Sequence, residues 1–298
     1  MRTKFIWLMV LMSSGGYAQT FSEKITKELV FEKKSQGNAL MVANMNGNVK
    51  VVGYEGDKIV MEVVKFVSGK SEARLEKGRQ EVQLSIMDRA DTIIVYIQDA
   101  CSKFGKKTKG KKHHGGSFQY GWGYQWNEHQ NNCHLDYDYK MDFTIKVPTS
   151  VHIMLSTIND GDIIVENMKG IVMAGNINGS IKLTNLEREA EASTINGDVD
   201  ITYAQNPLSD CRFYSLNGDI NALFQPGLTA SMSFESFNGS FYTNIEKLES
   251  LPLKIEKAKH GEGIQYKVQG NRYQIGKGGA FLDFETFNGN VYLKEKTN

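Results

Sequence analysis

The chain has 298 residues, 40% hydrophobic and 23% charged, with 4 prolines and a formal net charge of +1. Such a composition suits a globular protein with a sizeable core and excludes collagen-like or low-complexity chains. A near-neutral balance gives no support for a nucleic-acid partner.

The first segment reads as an export signal. Arg2 and Lys4 are positive, Phe5 to Met12 is apolar, and Gly16 and Ala18 place small residues for cleavage before Gln19. This is the pattern of a secretory signal peptide over residues 1–18. The apolar run is too short to span a bilayer as a helix, no later run reaches that length, and no cysteine follows the cut to carry a lipid. The expected mature protein is exported, periplasmic or at the cell surface, with no transmembrane segment. In an oxidising compartment, a Cys101–Cys133 disulfide closing the insertion that these residues bracket is the natural pairing. Cys211 stands where other repeats carry an apolar residue, so it reads as a small buried hydrophobe.

Residues 19 to 38 read as a charged lead-in. Leu40 to Val67 forms a first repeat-like unit and a following strand. Ser71 to Gly78 suits one or two helical turns, with Ser71 as N-cap, Glu72 in the first turn and Gly78 near the stop. Val82 to Met87 and Thr92 to Ile97 alternate as strands. The insertion follows, and Met141 to Val147 resumes the alternation before Pro148.

The insertion is "CSKFGKKTKGKKHHGGSFQYGWGYQWNEHQNNC". Its lysines, among them Lys111 and Lys112, could attract a polyanion such as an acidic glycan. Trp122, Tyr124 and Trp126 could stack on sugar rings or anchor a protein interface. His113 and His114 are candidate ligands for Zn²⁺ or Cu²⁺, although their spacing matches no standard set. A solvated surface loop is the competing reading.

From Val151 onward one phrase recurs: "STINDGDIIV", "GNINGSIKL", "STINGDVDI", "YSLNGDINAL", "ESFNGSFYT" and "ETFNGNVYL", with an earlier "NMNGNVKV". Aligned on the apolar residue before the turn, the copies fall at Met45, Ile158, Ile177, Ile195, Leu216, Phe237 and Phe287. From Ile158 the steps are 19, 18, 21, 21 and then 50 residues, by subtraction of those numbers. Five residues before the anchor stand Leu40, Ile153, Val172, Ala190, Cys211, Met232 and Leu282. After the turn stand Val49, Ile163, Ile181, Val199, Ile220, Phe241 and Val291. Period-two columns of this kind mark strands with one buried face. One further column, Asn44, Thr157, Asn176, Thr194, Ser215, Ser236 and Thr286, is small and polar yet falls on the buried side.

Two architectures fit. In an antiparallel sandwich or meander, each Asn-Gly is a type I′ hairpin turn. In a β-solenoid, each copy is one coil of about 18–21 residues, and equivalent residues stack. Stacking is favoured, because polar side chains in register can then bond along their column. "GIQYKVQGNRYQIGKGG" reads as a side hairpin within the long last interval.

The combination of "NMNGNVKVVGYEGDKIVMEV", "MDFTIKVPTSVHIMLSTINDGDIIVENMKG", "GNINGSIKLTNL", "STINGDVDITY" and "TFNGNVYLKEK" resembles a family of bacterial exported adhesins with β-strand repeats, akin to GIN-domain adhesin-head-like proteins. The resemblance runs from about Asn38 to Lys294. It implies an all-β, right-handed β-helix-like solenoid at the envelope or surface, and offers no catalytic residues.

The division expected is a signal peptide at 1–18, an N-terminal strand-rich cap at 19–147 with its 101–133 insertion, and repeats at 148–298 sharing the same core. The functional expectation is an adhesin-like, non-enzymatic binding module. It would take a glycan or an envelope or surface protein, without a cofactor. A carbohydrate-active enzyme is the alternative, since Asp162, Asp198 and Asp219 recur after the turns. A metal- or envelope-stress-responsive binder is a third.

Overall fold

The computed structural model describes residues 19–101, 103–104, 124–125, 134–260, 263–269 and 271–297. Residues 1–18, the expected signal peptide, and most of the insertion lie outside the described residues.

The N-terminal part of the chain holds β1 (Gln19–Leu29), β2 (Ala39–Ala43), β3 (Val49–Tyr54), β4 (Ile59–Gly69), helix α1 (Glu72–Glu81), β5 (Gln83–Asp88) and β6 (Thr92–Gln98). Two short strands of the insertion, β7 (Lys103–Phe104) and β8 (Tyr124–Gln125), precede the long β9 (Tyr137–Pro148). The repeats supply β10 (His152–Ser156), β11 (Ile163–Met168), β12 (Val172–Gly175), β13 (Ile181–Leu186), β14 (Ala190–Asn196), β15 (Val199–Tyr203), β16 (Cys211–Asn217), β17 (Ile220–Phe224), β18 (Ala230–Ser236) and β19 (Phe241–Thr243). Then come β20 (Leu248–Ser250), β21 (Lys254–His260), β22 (Gly263–Gln269), β23 (Arg272–Ile275), β24 (Ala280–Asn288) and β25 (Val291–Glu295).

Two large mixed sheets face each other. Sheet A runs β1-β4-β9-β3-β11-β13-β15-β17-β25-β19, and sheet B runs β20-β23-β18-β24-β16-β14-β12-β10-β2-β6-β5. Each repeat gives one strand to each sheet, and equivalent strands of neighbouring repeats pair in parallel. Ile153 lies opposite both Leu40 and Val172, and Val199 opposite both Ile181 and Ile220. The columns read from the sequence are therefore the pairing register. Leu40, Ile153, Val172, Ala190, Met232 and Leu282 meet Val49, Ile163, Ile181, Val199, Ile220 and Val291 in one core, all buried.

Two features depart from the sequence order. The first copy stacks directly on the Ile158 copy although 113 residues separate their anchors, because β4, β5, β6 and β9 fold onto the far side of β2 and β3. The last copy is not at the end. β24 lies between β16 and β18, and β25 between β17 and β19.

The Asn-Gly pairs are not hairpin turns. β14 and β15 flank Asn196-Gly197 yet belong to different sheets. Among the turn glycines of the repeats, only Gly47 has a φ in the left-handed half, at 116°. Glycine is needed for a different reason: a Cβ on Gly161, Gly179, Gly197, Gly218, Gly289 or Gly239 would overlap the carbonyl oxygen of the turn glycine one repeat away. The small polar column explains itself at the same corner. Thr157 Oγ1 donates to Gly47 O at 2.8 Å, Thr194 Oγ1 to Gly179 O at 2.9 Å and Ser215 Oγ to Gly197 O at 2.8 Å. These side chains bond to the neighbouring turn rather than to one another, which pairs a buried carbonyl and a buried hydroxyl together.

Other expectations need correcting. The lead-in includes β1, an eleven-residue edge strand antiparallel to β4. Its pattern hid it, because Glu23 and Lys27 occupy positions opposite Lys65 and Met61, on the same face as Ile25. Inward charges of this kind are a common protection for a sheet edge. Ser71 does cap α1, accepting from the Arg74 N–H at 3.4 Å, but the helix runs past Gly78 to Glu81. Gly78 is buried, and a Cβ there would lie 2.7 Å from both Val67 and Tyr137, so it permits close packing rather than ending the helix. The side hairpin is β21–β22, whereas β23 joins sheet B.

Candidate functional site

The insertion leaves the body after β6 and returns at β9, and its base is held by several groups. Cys101 is disulfide-bonded; Cys133 lies outside the described residues. The Cys101 N–H donates to Asp99 Oδ1 at 2.7 Å, and Tyr139 Oη donates to Asp99 Oδ2 at 2.6 Å. Tyr137 Oη donates to Glu81 Oε2 at 2.8 Å, and burial first, then this bond, pushes its phenol far up. Lys103–Phe104 pairs with Tyr124–Gln125, setting Phe104 opposite Tyr124, and the Phe104 ring stacks on Tyr96 at 4.3 Å between centroids. Of the sequence-predicted site residues, Tyr124 is placed here by its backbone. Trp122, Trp126, Lys111, Lys112, His113 and His114 lie outside the described residues.

From Tyr96 a row crosses sheet B strand by strand: Tyr96, Ala43, Ser156, Gly175, Ser193 and Tyr214, each opposite the next. These positions alternate with the core-facing Val42, Leu155, Ala174 and Ala192, so they belong to the outer side of the sheet. Alternation predicts a solvated row. Instead it is small between its two tyrosines, and buried: Ala43 is 0%, Ser156 1% and Ser193 4% exposed. The Ser156 hydroxyl has no hydrogen-bond partner among the described residues. A glycine inside a strand often marks close approach by a ligand or another backbone. The small outer residues were visible in the sequence, but only the register lines them up.

The turn carboxylates have a structural role. Asp162 Oδ1 accepts from the Ser180 N–H at 2.8 Å, Asp198 Oδ1 from the Asp219 N–H at 2.8 Å, and Asp219 Oδ1 from the Asn290 N–H at 2.7 Å. Beside them the turn asparagines form a continuous amide ladder, with Asn196 Nδ2 donating to Asn178 Oδ1 at 2.8 Å and Asn217 Nδ2 to Asn196 Oδ1 at 2.9 Å. Each Asp thus satisfies a turn donor of the next repeat instead of facing a shared cleft with an Arg or Lys. Arg212 is engaged on the other sheet, 3.2 Å from Glu285 and 3.6 Å from Asp283. Cys211 is free and buried 3.3 Å from Tyr203 Oη, and burial pushes its thiol up. Among the described residues no three His, Cys, Asp or Glu side chains gather as a metal site, and no helix is long and apolar enough to cross a membrane.

No family model matches the chain, and no curated protein matches it significantly. Two solved structures resemble it. One is a candidate cell adhesion protein from Clostridium sporogenes, 13% identical, with a TM-score of 0.43 over 93% of this chain and 100% of that one. The other is a candidate adhesin from Bacteroides fragilis, 13% identical, with a TM-score of 0.38 over 92% of this chain and 97% of that one. No residue of this chain takes a role from either.

Proposed function

We propose that the protein is an exported, non-catalytic β-solenoid acting as an adhesin-like binding module of the cell envelope, with a glycan as ligand. The solenoid reading is supported by the parallel, in-register pairing of successive repeats in both sheets. The non-catalytic reading is supported by the turn carboxylates, whose oxygens accept main-chain N–H groups of the next repeat.

The observation that carries the binding reading is the aromatic base of the insertion, where Phe104 lies opposite Tyr124 and stacks on Tyr96. The row from Ala43 to Ser193 is itself buried and offers a ligand no surface, so in this reading the glycan is gripped by the insertion, through ring stacking on Trp122, Tyr124 and Trp126 and through charge on Lys111 and Lys112. Closure of the insertion by Cys101 and Cys133 belongs to the same reading. It is supported by Cys101 being bonded and Cys211 free.

The test is a glycan array probed with the whole chain, with a chain lacking residues 105–123, and with Trp126→Ala. Binding by the whole chain that falls at least tenfold in both variants is the expected result. A blank array for the whole chain, or binding untouched by both changes, overturns the reading.

A further inference from the structure

The two sheets end unequally. In the repeat farthest from the cap, β18 lies in sheet B and β19 in sheet A. Beyond β18, sheet B continues with β23 and β20; beyond β19, sheet A has no further strand among the described residues. Sheet A therefore stops two strands short of the sheet that it faces. The step is apolar. Phe237 is 74% and Tyr242 48% exposed on the last repeat. Behind them Phe241, Ile245, Leu248 and Tyr273 are only partly buried, with Phe241 and Tyr273 stacked at 6.2 Å.

At the same end a two-stranded hairpin belongs to neither sheet. Among the described residues β21 and β22 pair only with each other, from Lys254 opposite Gln269 to His260 opposite Gly263. The hairpin continues from β20 and β23, whose pairing extends through Leu251 N–H to Arg272 O at 2.8 Å. It is an arm bolted to sheet B at its root. Seven residues per strand give it a reach of roughly 23 Å. Leu253 and Ile255 near its root are 65% and 62% exposed. A lone two-stranded hairpin is marginal in water, and an unpaired edge strand such as β19 invites a partner strand.

We propose that the chain forms a two-fold dimer in which the β21–β22 arm of each copy adds to the β19 edge of the other. The number of strands matches: the arm has two, and sheet A lacks two. The arm does not reach its own β19 easily. The link between β22 and β23 is two residues, and the second, Asn271, is held to sheet B by its carbonyl, which accepts the Phe234 N–H at 3.1 Å; the remaining span of about 7 Å is shorter than the roughly 10 Å between facing sheets. A second copy removes that constraint. Donor and acceptor lie at one end of the molecule, so a two-fold axis closes the exchange and no filament grows. The exchange would complete sheet A against β23 and β20 and cover the apolar step.

Light scattering after size-exclusion chromatography tests this on the whole chain. The expected mass is that of two chains. Replacing residues 254–269 by Asn-Gly, which leaves β20 joined to β23, gives a monomer. Tyr242→Lys keeps the arm but puts an edge-blocking lysine on β19, and weakens dimerisation at least tenfold. The armless chain retains the acceptor and the lysine chain retains the arm, so mixing the two gives a one-to-one heterodimer held by one exchange instead of two, weaker than the parent dimer but formed by neither variant alone. That mixture also controls for folding, since a misfolded variant cannot complement. A monomeric whole chain, a dimer that survives arm replacement, open-ended polymers, or no heterodimer on mixing each overturns the proposal.

Discussion

Gly197→Ala separates the stacking role of the turn glycines from any turn role. The φ of Gly197 is outside the left-handed half, so an ordinary surface turn would tolerate alanine and gain about 0.4–1 kcal/mol from a less flexible unfolded chain. Here the new Cβ would sit 2.5 Å from the Gly179 carbonyl carbon and 2.8 Å from the Ser180 nitrogen, besides overlapping the Gly179 oxygen. All three are backbone atoms, so no side chain can rotate away. Restoring contact distance means parting two repeats by at least roughly half an ångström, judged from ordinary carbon contacts. That strains the Thr194–Gly179 bond at 2.9 Å and the Asn196–Asn178 bond at 2.8 Å. Overpacking of this kind costs about 1–3 kcal/mol, a fall in Tm of roughly 3–10 °C for a domain of this size. Gly37→Ala is the control, because its Cβ would meet only Ser35 Oγ at 3.9 Å. Differential scanning calorimetry of both variants decides the matter. Gly197→Ala as stable as the parent, or both variants moving together, would refute the close-approach argument.

Thr194→Val keeps the side-chain shape but removes the donor to Gly179 O. Loss of about 1–3 kcal/mol follows from an unpaired buried carbonyl, read by urea titration with an unchanged m-value. His152 is a pH probe. Its Nδ1 accepts the Ile171 N–H at 2.9 Å, and burial first, then the Arg188 charge, hold its pKa below the usual value, against smaller raising effects of Glu189 and the Gln36 backbone. The unfolded chain therefore takes up the proton first as pH falls, so this residue's share of stability is intact above about pH 6.5 and drains away below it. His152→Asn retains an acceptor without titrating, and its Tm should fall less steeply than the parent's between pH 7 and pH 5. Parallel slopes would remove His152 from the account.

Much of the fold was legible because strand alternation is a local property. The columns headed by Leu40 and Val49 predicted which residues are buried and which lie opposite one another, and the polar column was correctly placed inside. The sequence favoured stacking over hairpin turns, but why each copy needs its glycine was not legible. The same dipeptide serves a left-handed hairpin and a stack too tight for a Cβ, and only the position of the neighbouring carbonyl distinguishes them. β1 escaped because an edge strand with Glu23 and Lys27 on its inner side lacks the alternation of a buried one. The row from Tyr96 to Tyr214 was hidden for another reason: its members come from six strands spread over more than a hundred residues, and nothing in any one strand marks it. The insertion has no column to align with, so its composition alone suggested a role.

The same columns explain why the order of repeats is not legible in the sequence. Every copy presents the same inner residues, so any copy fits beside any other, and sequence spacing alone sets the Leu216 and Phe237 copies 21 residues apart as neighbours. In the structure β24 separates them: Tyr214 lies opposite Glu285, and Glu285 opposite Glu235. A chain ending at Gly279 lacks β24 and β25. It loses two interfaces between repeats and can regain one by stacking β18 directly on β16, because Phe213 and Phe234 each already pair with Phe284 in the same register. The net cost of one such repeat, at about 0.05–0.15 kcal/mol per residue, is roughly 1–3 kcal/mol, which a domain of ordinary stability survives. The shortened chain should therefore unfold cooperatively at a lower Tm. Tyr214→Cys with Glu235→Cys reports the rearrangement. Two strand spacings, about 9.6 Å, separate these positions in the whole chain, and one, about 4.8 Å, in the shortened chain, and only the second lies within disulfide reach. A cross-link in the shortened chain and none in the whole chain is the expected pair of results. A cross-link in both, or none in the shortened chain together with proteolysis beyond Phe224, would mean that the repeats are not interchangeable and that β24 is specified by more than its columns.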